Sequence, residues 1–266
     1  MSAIDCPACA APAPAPRRKI ARCPACGHRW MVTSAAARSV IEDTFYHHHY
    51  AGYRDDPLFR AAIRNTIGNH IKPRVREGAS LLDVGCGAGD LLEAAVELGF
   101  EGRGIDISEA SAERCRTRGL DAVSGDFLTY DFGRKFDVIT MWDVMEHLRD
   151  PAAFLARVHD LLEPGGMYFA KVPGFGELSV GIAKAVPRAA GLLIDAPDHI
   201  QYFDRESLGR LAARMGFDAD WLTLPRGARA LPKGGSLKRR VTRFVGHAIR
   251  RASGDASLYL AATPRD

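Results

Sequence analysis

Four paired cysteines, three aspartates that close apolar runs and two histidines beside acids are the residues here whose spacing could do chemistry. The cysteines form two pairs, Cys6-Pro7-Ala8-Cys9 and Cys23-Pro24-Ala25-Cys26, thirteen residues apart. Each pair sets two thiolates on one side of a tight turn, and two such turns close a tetrahedron around zinc. Gly27 suits the left-handed bend that ends a knuckle. A redox reading needs a helix N-terminus under one pair and explains only half of the four. Four thiolates leave no open coordination position, so the expected site is structural. Cys86 and Cys115 read as ordinary domain residues.

The second constellation begins with the apolar run Leu81-Leu82-Asp83-Val84, which enters Gly85-Cys86-Gly87-Ala88-Gly89-Asp90. Glycines at 85, 87 and 89 allow a tight turn and a close approach of ligand to backbone, and the helix beyond offers unpaired N–H groups. A nicotinamide fingerprint would place glycine at position 90 and gives no reason for Asp83. A cofactor with an ammonium group and no phosphate, S-adenosylmethionine, accounts for both departures. Gly104-Ile105-Asp106 ends a second run with a carboxylate suited to a ribose diol, followed by Ile107. Ser124-Gly125-Asp126-Phe127 ends a third with an acid for the adenine amino group and a ring for the purine. Each aspartate alone reads equally as a loop or capping residue. The ordered set, at the carboxyl ends of successive strands, is where open α/β sheets bind ligands.

These segments, with Phe136-Asp137-Val138-Ile139 and Leu162-Glu163-Pro164-Gly165-Gly166, resemble the successive motifs of class I S-adenosylmethionine-dependent methyltransferases over roughly residues 75–265. The resemblance implies an α/β, doubly wound, seven-stranded sheet of order 3-2-1-4-5-7-6 with its seventh strand antiparallel. It also implies cofactor contacts at Asp83, Gly85, Cys86, Gly87, Gly89, Asp106, Ile107, Asp126, Phe127 and Trp142. The stretch Trp142-Asp143-Val144-Met145-Glu146-His147 resembles the subgroup of ubiquinone-biosynthesis O-methyltransferases and bacterial glycan and lipid methyltransferases. The acid-x-x-Glu-His pattern of the ubiquinone enzymes can hold a divalent metal near the acceptor, which here would fall on Asp143, Glu146 and His147. The other reading makes Glu146 and His147 structural groups of a turn beside the cofactor.

Asp195-Ala196-Pro197-Asp198-His199 follows an insertion beyond the fifth strand and resembles a Pro-x-His segment that faces the acceptor pocket in similar enzymes. His199, or failing that His147, could take a hydroxyl proton as the methyl group transfers. A structural histidine bonded to a backbone carbonyl is the competing reading. The cluster Phe45-Tyr46-His47-His48-His49-Tyr50 to Tyr53 lies where relatives place a cofactor lid, and Tyr53 is the residue expected to reach the cofactor. Three adjacent histidines cannot share one helical face, which argues against a metal site there.

The elements that must position these groups follow from periodicity. Strands are expected near 80–84, 102–107, 120–124, 136–141, 167–172, 217–224 and 257–263, with helices near 35–72, 89–98, 109–118, 151–162 and 205–215. Alternating strands and helices with short crossovers give a parallel, doubly wound sheet. The expected organisation is a zinc ribbon over 1–31, a helical linker and lid over 32–74, and a methyltransferase domain over 75–266. That domain carries an acceptor-side insertion at 175–200 and a basic helical insertion at 225–256. With 266 residues, 47% hydrophobic and 26% charged, the chain can bury one sizeable core.

The net charge is +4, yet nine Lys or Arg and no acid lie between Arg226 and Arg251, leaving the rest of the chain net negative. The basic character is therefore local. An amphipathic helix there would either pack on the domain or dock on an anionic membrane or RNA. No apolar run of about 18 residues exists and the N-terminus lacks a signal-peptide core, so a cytoplasmic location is expected. Three functions remain: O-methylation of a sugar, lipid-linked glycan or secondary metabolite, methylation of an RNA base, and a non-catalytic cofactor-binding subunit. Oligomeric state is not legible.

Overall fold

The computed structural model describes residues 3–14, 20–32, 57–174, 199–222 and 257–265. Tyr53 and most of the expected lid, the 175–198 part of the acceptor-side insertion and the basic helix fall outside the described residues.

The N-terminal module contains four short strands, β1 (Ala3–Asp5), β2 (Pro12–Pro14), β3 (Ile20–Arg22) and β4 (Arg29–Met31). β1 pairs antiparallel with β2 and β3 with β4, giving two hairpin-like units that carry one cysteine pair each. Helix α1 (Pro57–Thr66) continues through a wider turn over Ile67–Ile71, burying Ile63, Ile67 and Ile71.

The main domain then alternates as the periodicity requires. In order come β5 (Ser80–Val84), α2 (Asp90–Glu97), β6 (Glu101–Asp106), α3 (Glu109–Thr117), β7 (Ala122–Ser124) and β8 (Phe136–Trp142). They are followed by α4 (Pro151–Leu161), β9 (Leu162–Val172), β10 (Gln201–Tyr202), α5 (Arg205–Arg214), β11 (Phe217–Leu222) and β12 (Leu258–Pro264). Asp150 caps α4 by accepting the Ala153 N–H, with Pro151 at the first helical position. Asp204 and Ser207 form a reciprocal capping box on α5.

Seven strands form one sheet in the order β11-β12-β9-β8-β5-β6-β7. β7, β6, β5, β8 and β9 run parallel, and β12 lies antiparallel between β9 and β11. This is the order and the antiparallel last strand that the resemblance implied. β5 sits at the centre with all five residues buried, as a parallel strand covered on both faces must be. β9 starts five residues earlier than expected. Leu162 leaves α4 directly into a pairing with Phe136, and the strand bends at Gly165, φ 77°. A Cβ at Gly166 would stand 2.9 Å from the Glu163 carbonyl oxygen, so the bend needs glycine there.

The ribbon is not a detached appendage. β10, a strand the periodicity does not show, pairs antiparallel with β4 to make a three-stranded sheet β10-β4-β3. At the other knuckle the Arg214 guanidinium of α5 donates to the carbonyls of Pro7 and Ala8 at 2.9 and 3.0 Å.

Candidate functional site

Three strands deliver the cofactor end. β5 carries Asp83 under the glycine loop, where Gly85, Gly87 and Gly89 all have positive φ, 70°, 55° and 86°. At Gly85 a Cβ would stand 2.6 Å from a Val144 methyl, so crowding as well as backbone conformation demands glycine. Asp106, ending β6, accepts the Gly87 N–H at 2.8 Å and the Ser108 N–H at 2.9 Å, tying the loop to the second strand. Ile107 beyond it is 68% exposed, an apolar side chain facing solvent beside an acid. That position suits a ring laid over the strand end.

The two inner carboxyls are electrostatically unusual. Asp83 accepts from the Thr140 hydroxyl at 2.7 Å and is otherwise enclosed. Burial pushes its pKa from 3.8 to about 7, the nearby Asp106 and Asp90 add to the rise, and only Thr140 opposes it. Burial also raises Asp106, against the two backbone donors that hold its charge.

Two of the expected contact residues turn their side chains inward. Phe127 is buried, its ring packed at 5.5 Å from Phe154 and 6.3 Å from Phe132, as a residue of the core. Cys86 turns its thiol inward, 3.9 Å from the Cys115 sulfur, so only its backbone faces the loop. Asp126 is exposed at the end of β7, where it accepts the Leu128 N–H at 2.9 Å. Trp142 packs against Phe169 and Tyr259 on the sheet face, with the Lys171 ammonium 5.8 Å from its ring.

The second cluster is built after β8 on one helical turn, Met145–His147, and on the segment entering β10. Glu146 is 2% exposed, and its Oε1 lies 3.9 Å from Nε2 of both His147 and His199. The two imidazoles meet edge to face, centroids 4.8 Å apart. Neither distance is a hydrogen bond, and both Glu146 oxygens are buried without a hydrogen-bond partner among the described residues. Burial raises Glu146 well above the usual carboxyl range, the Asp143 carboxylate adds to this and Lys171 opposes it.

The expected set Asp143, Glu146 and His147 is therefore rearranged. Asp143, at φ 56°, forms an ion pair with buried Lys171, whereas one ligand atom each from Glu146, His147 and His199 lie within 4.8 Å of one another. His199 thus stands beside Glu146 and His147, while Asp143 is paired with Lys171 of β9. A lysine inside the apolar strand run Met167 to Val172 is the signal the sequence carries for this pairing.

In the ribbon, Cys6 Sγ lies 3.7 Å from Cys26 Sγ and Cys9 Sγ 3.6 Å from Cys23 Sγ, and all four fall within 4.8 Å of one another. Zinc–thiolate bonds of roughly 2.3 Å give a tetrahedron with edges of about 3.8 Å, so the donor set fits the ion. Equivalent turns hold both pairs: the Ala10 N–H donates to Cys6 O and the Gly27 N–H to Cys23 O. His28, fully buried behind the second knuckle, bonds Gln201 at 2.9 Å, and burial lowers its pKa to about 4.

Comparison with known proteins places this architecture. The chain is 34% identical over 129 residues to the ubiquinone biosynthesis O-methyltransferase of Chelativorans sp., covering 44% of this chain and 51% of that protein. It is 38% identical over 100 residues to the enzyme of the same name from Methylococcus capsulatus, covering 35% and 42%. The chain thus spans about half the length of these relatives, or less. Among solved structures, the YcgJ protein of Bacillus subtilis superposes with TM-score 0.57 at 16% identity, covering 76% of this chain and 99% of that one. A SAM-dependent methyltransferase from Archaeoglobus fulgidus gives 0.54 at 19%, covering 76% and 93%. The methyltransferase-domain family model matches residues 48–220, well over half of the sequence, and the chain belongs to that family.

Proposed function

We propose that this protein transfers a methyl group from S-adenosylmethionine to a hydroxyl of a small acceptor, of the sugar, lipid-linked glycan or secondary-metabolite class. The observation that carries the reading is the grouping of Glu146, His147 and His199 beyond the strand adjacent to β5. The relatives named above are O-methyltransferases, which favours oxygen as the accepting atom.

When bound, S-adenosylmethionine supplies an electrophilic methyl group on a sulfonium. The glycine loop and Asp83 would hold its amino-acid end, Asp106 the ribose hydroxyls, Asp126 the adenine amino group and Ile107 the purine. His199 would take up the acceptor hydroxyl's proton during methyl transfer. Glu146, whose carboxyl burial pushes well above the usual range, packs behind both imidazoles. His147 flanks the same proton path. Alignment along the sulfur–methyl axis supplies the remainder of the rate.

A second reading is favoured by the orphaned Glu146 oxygens. A divalent cation would be held by Glu146, His147 and His199 and would acidify the acceptor hydroxyl. The four ribbon cysteines hold a structural zinc in either case. Labelled-methyl transfer to a panel of catechol, hexose and lipid-linked glycan acceptors tests the proposal. His199→Ala or His147→Ala should lower turnover by about two to four powers of ten while sparing S-adenosylhomocysteine affinity. Near-native turnover in both variants would mean that catalysis rests on alignment alone. Loss of activity on chelation, restored by magnesium with the ribbon zinc in place, would select the metal reading.

A further inference from the structure

The ribbon and the acceptor end share a hydrogen-bonded seam. β4 leaves the second knuckle and pairs with β10, Trp30 opposite Gln201 and Arg29 opposite Tyr202. The Met31 N–H donates to the Ile200 carbonyl at 2.8 Å, and the Ile200 N–H donates to the Glu146 carbonyl at 2.8 Å. Residues 199–202 are therefore held between the ribbon and the turn that carries Glu146 and His147.

One side chain crosses the whole seam. Gln201 donates from Nε2 to the Leu148 carbonyl at 2.8 Å and accepts at Oε1 from His28 Nε2 at 2.9 Å. With its NH2 committed to Leu148, Gln201 can meet His28 only through its carbonyl, which fixes His28 as the Nε2–H tautomer. The His28 ring is clamped between Trp30 and Phe203, centroids 5.9 and 4.8 Å away, and its carbonyl accepts the Cys23 N–H at 2.8 Å. A continuous path thus runs from a cysteine of the knuckle through His28 and Gln201 to the carbonyl next to His147.

We propose that the ribbon is a positioning element of the acceptor end: through His28 and Gln201 it fixes the 146–148 turn and His199. This rests on the reading of His147 and His199 as acceptor-side groups. Neither His28 nor Gln201 touches reacting atoms, so both are positioning residues. The physical need is plain. His147 sits on a three-residue turn and His199 beside a two-residue strand, elements too short to hold their own geometry. Burial leaves both ends of the Gln201 amide satisfied inside the protein, so its loss uncouples two neighbours at once.

Hydrogen–deuterium exchange on the full chain, saturated with S-adenosylhomocysteine, tests this. The samples are zinc-loaded, zinc-stripped and zinc-restored wild type, Gln201→Leu, His28→Leu and His28→Gln. Amides over 145–148 and 199–202 should exchange about tenfold faster, or more, in the stripped chain and both Leu variants. Protection should return with zinc, and in His28→Gln, whose amide keeps an N–H toward Gln201. Exchange over 80–84 and 101–106 and ligand affinity should stay at wild-type values. Wild-type protection of 145–148 in the stripped chain or in Gln201→Leu overturns the proposal. So does loss of protection spread equally to 80–84, which is general unfolding. Should Gln201→Leu not fold, the stripped and restored wild type decides alone. No acceptor enters this measurement, so failure of the acceptor-end assignment shows separately, as near-native turnover in His199→Ala and His147→Ala.

Discussion

Asp83 is a buried carboxyl that, among the described residues, accepts from the Thr140 hydroxyl. Its pKa is raised in the folded chain from 3.8 to about 7, so between those values the native state keeps a proton that the unfolded chain has lost. Its contribution to stability is present in full below the lower value and is lost as pH rises through the upper one. An ammonium group of the ligand beside the glycine loop favours the carboxylate instead. Calorimetry of S-adenosylhomocysteine binding at about pH 6.5, in buffers of differing ionisation enthalpy, should show proton release in wild type and none in Asp83→Asn. Equal release in both would place the titrating group elsewhere. At this scale the strand-end acids were legible because a parallel strand must end at the ligand edge. Phe127 was not, since alternation stops where β7 stops and the following turn aims its ring at Phe132 and Phe154. The partner of Asp143 was hidden too, because Lys171 meets it only through the register of β8 and β9, Trp142 opposite Lys171.

Among the elements, the ribbon makes the sharpest prediction. β1 to β4 are three residues each, too short to be stable without a bound ion drawing the knuckles together. Elemental analysis of protein purified without chelator should find one zinc per chain, and Cys6→Ser or Cys26→Ser should abolish its retention. Zinc retained by the double variant Cys6→Ser, Cys26→Ser would rule out this site. Most element boundaries could be read from the sequence. Apolar runs marked β5, closed by Gly85, and β8, closed by Asp143, and Asp150-Pro151 marked the start of α4. The pairing of β10 with β4 could not be read, because a two-residue strand has no period and its partner lies in another module.

At the scale of the molecule, charge is segregated. The nine basic residues between Arg226 and Arg251 lie outside the described residues, and their sequence alone carries the expectation. A basic amphipathic face near an anionic bilayer gains on the order of 1 kcal/mol per residue, so binding should be salt-sensitive. Co-sedimentation with phosphatidylserine vesicles at low salt, lost at moderate salt, would support peripheral membrane contact. A gel shift with RNA in place of vesicles would favour the nucleic-acid surface, and neither would leave the segment as a solvated face. The seam between ribbon and domain has a further consequence, in time. His28 and Gln201 are separated by 173 positions along the chain. At roughly 5–20 residues per second of synthesis, the ribbon's third strand arrives on the order of ten to thirty-five seconds after its first two. During that interval the edge of β4 and the Trp30 and His28 rings have no cover, so the nascent chain should depend most on chaperones before residue 203 emerges.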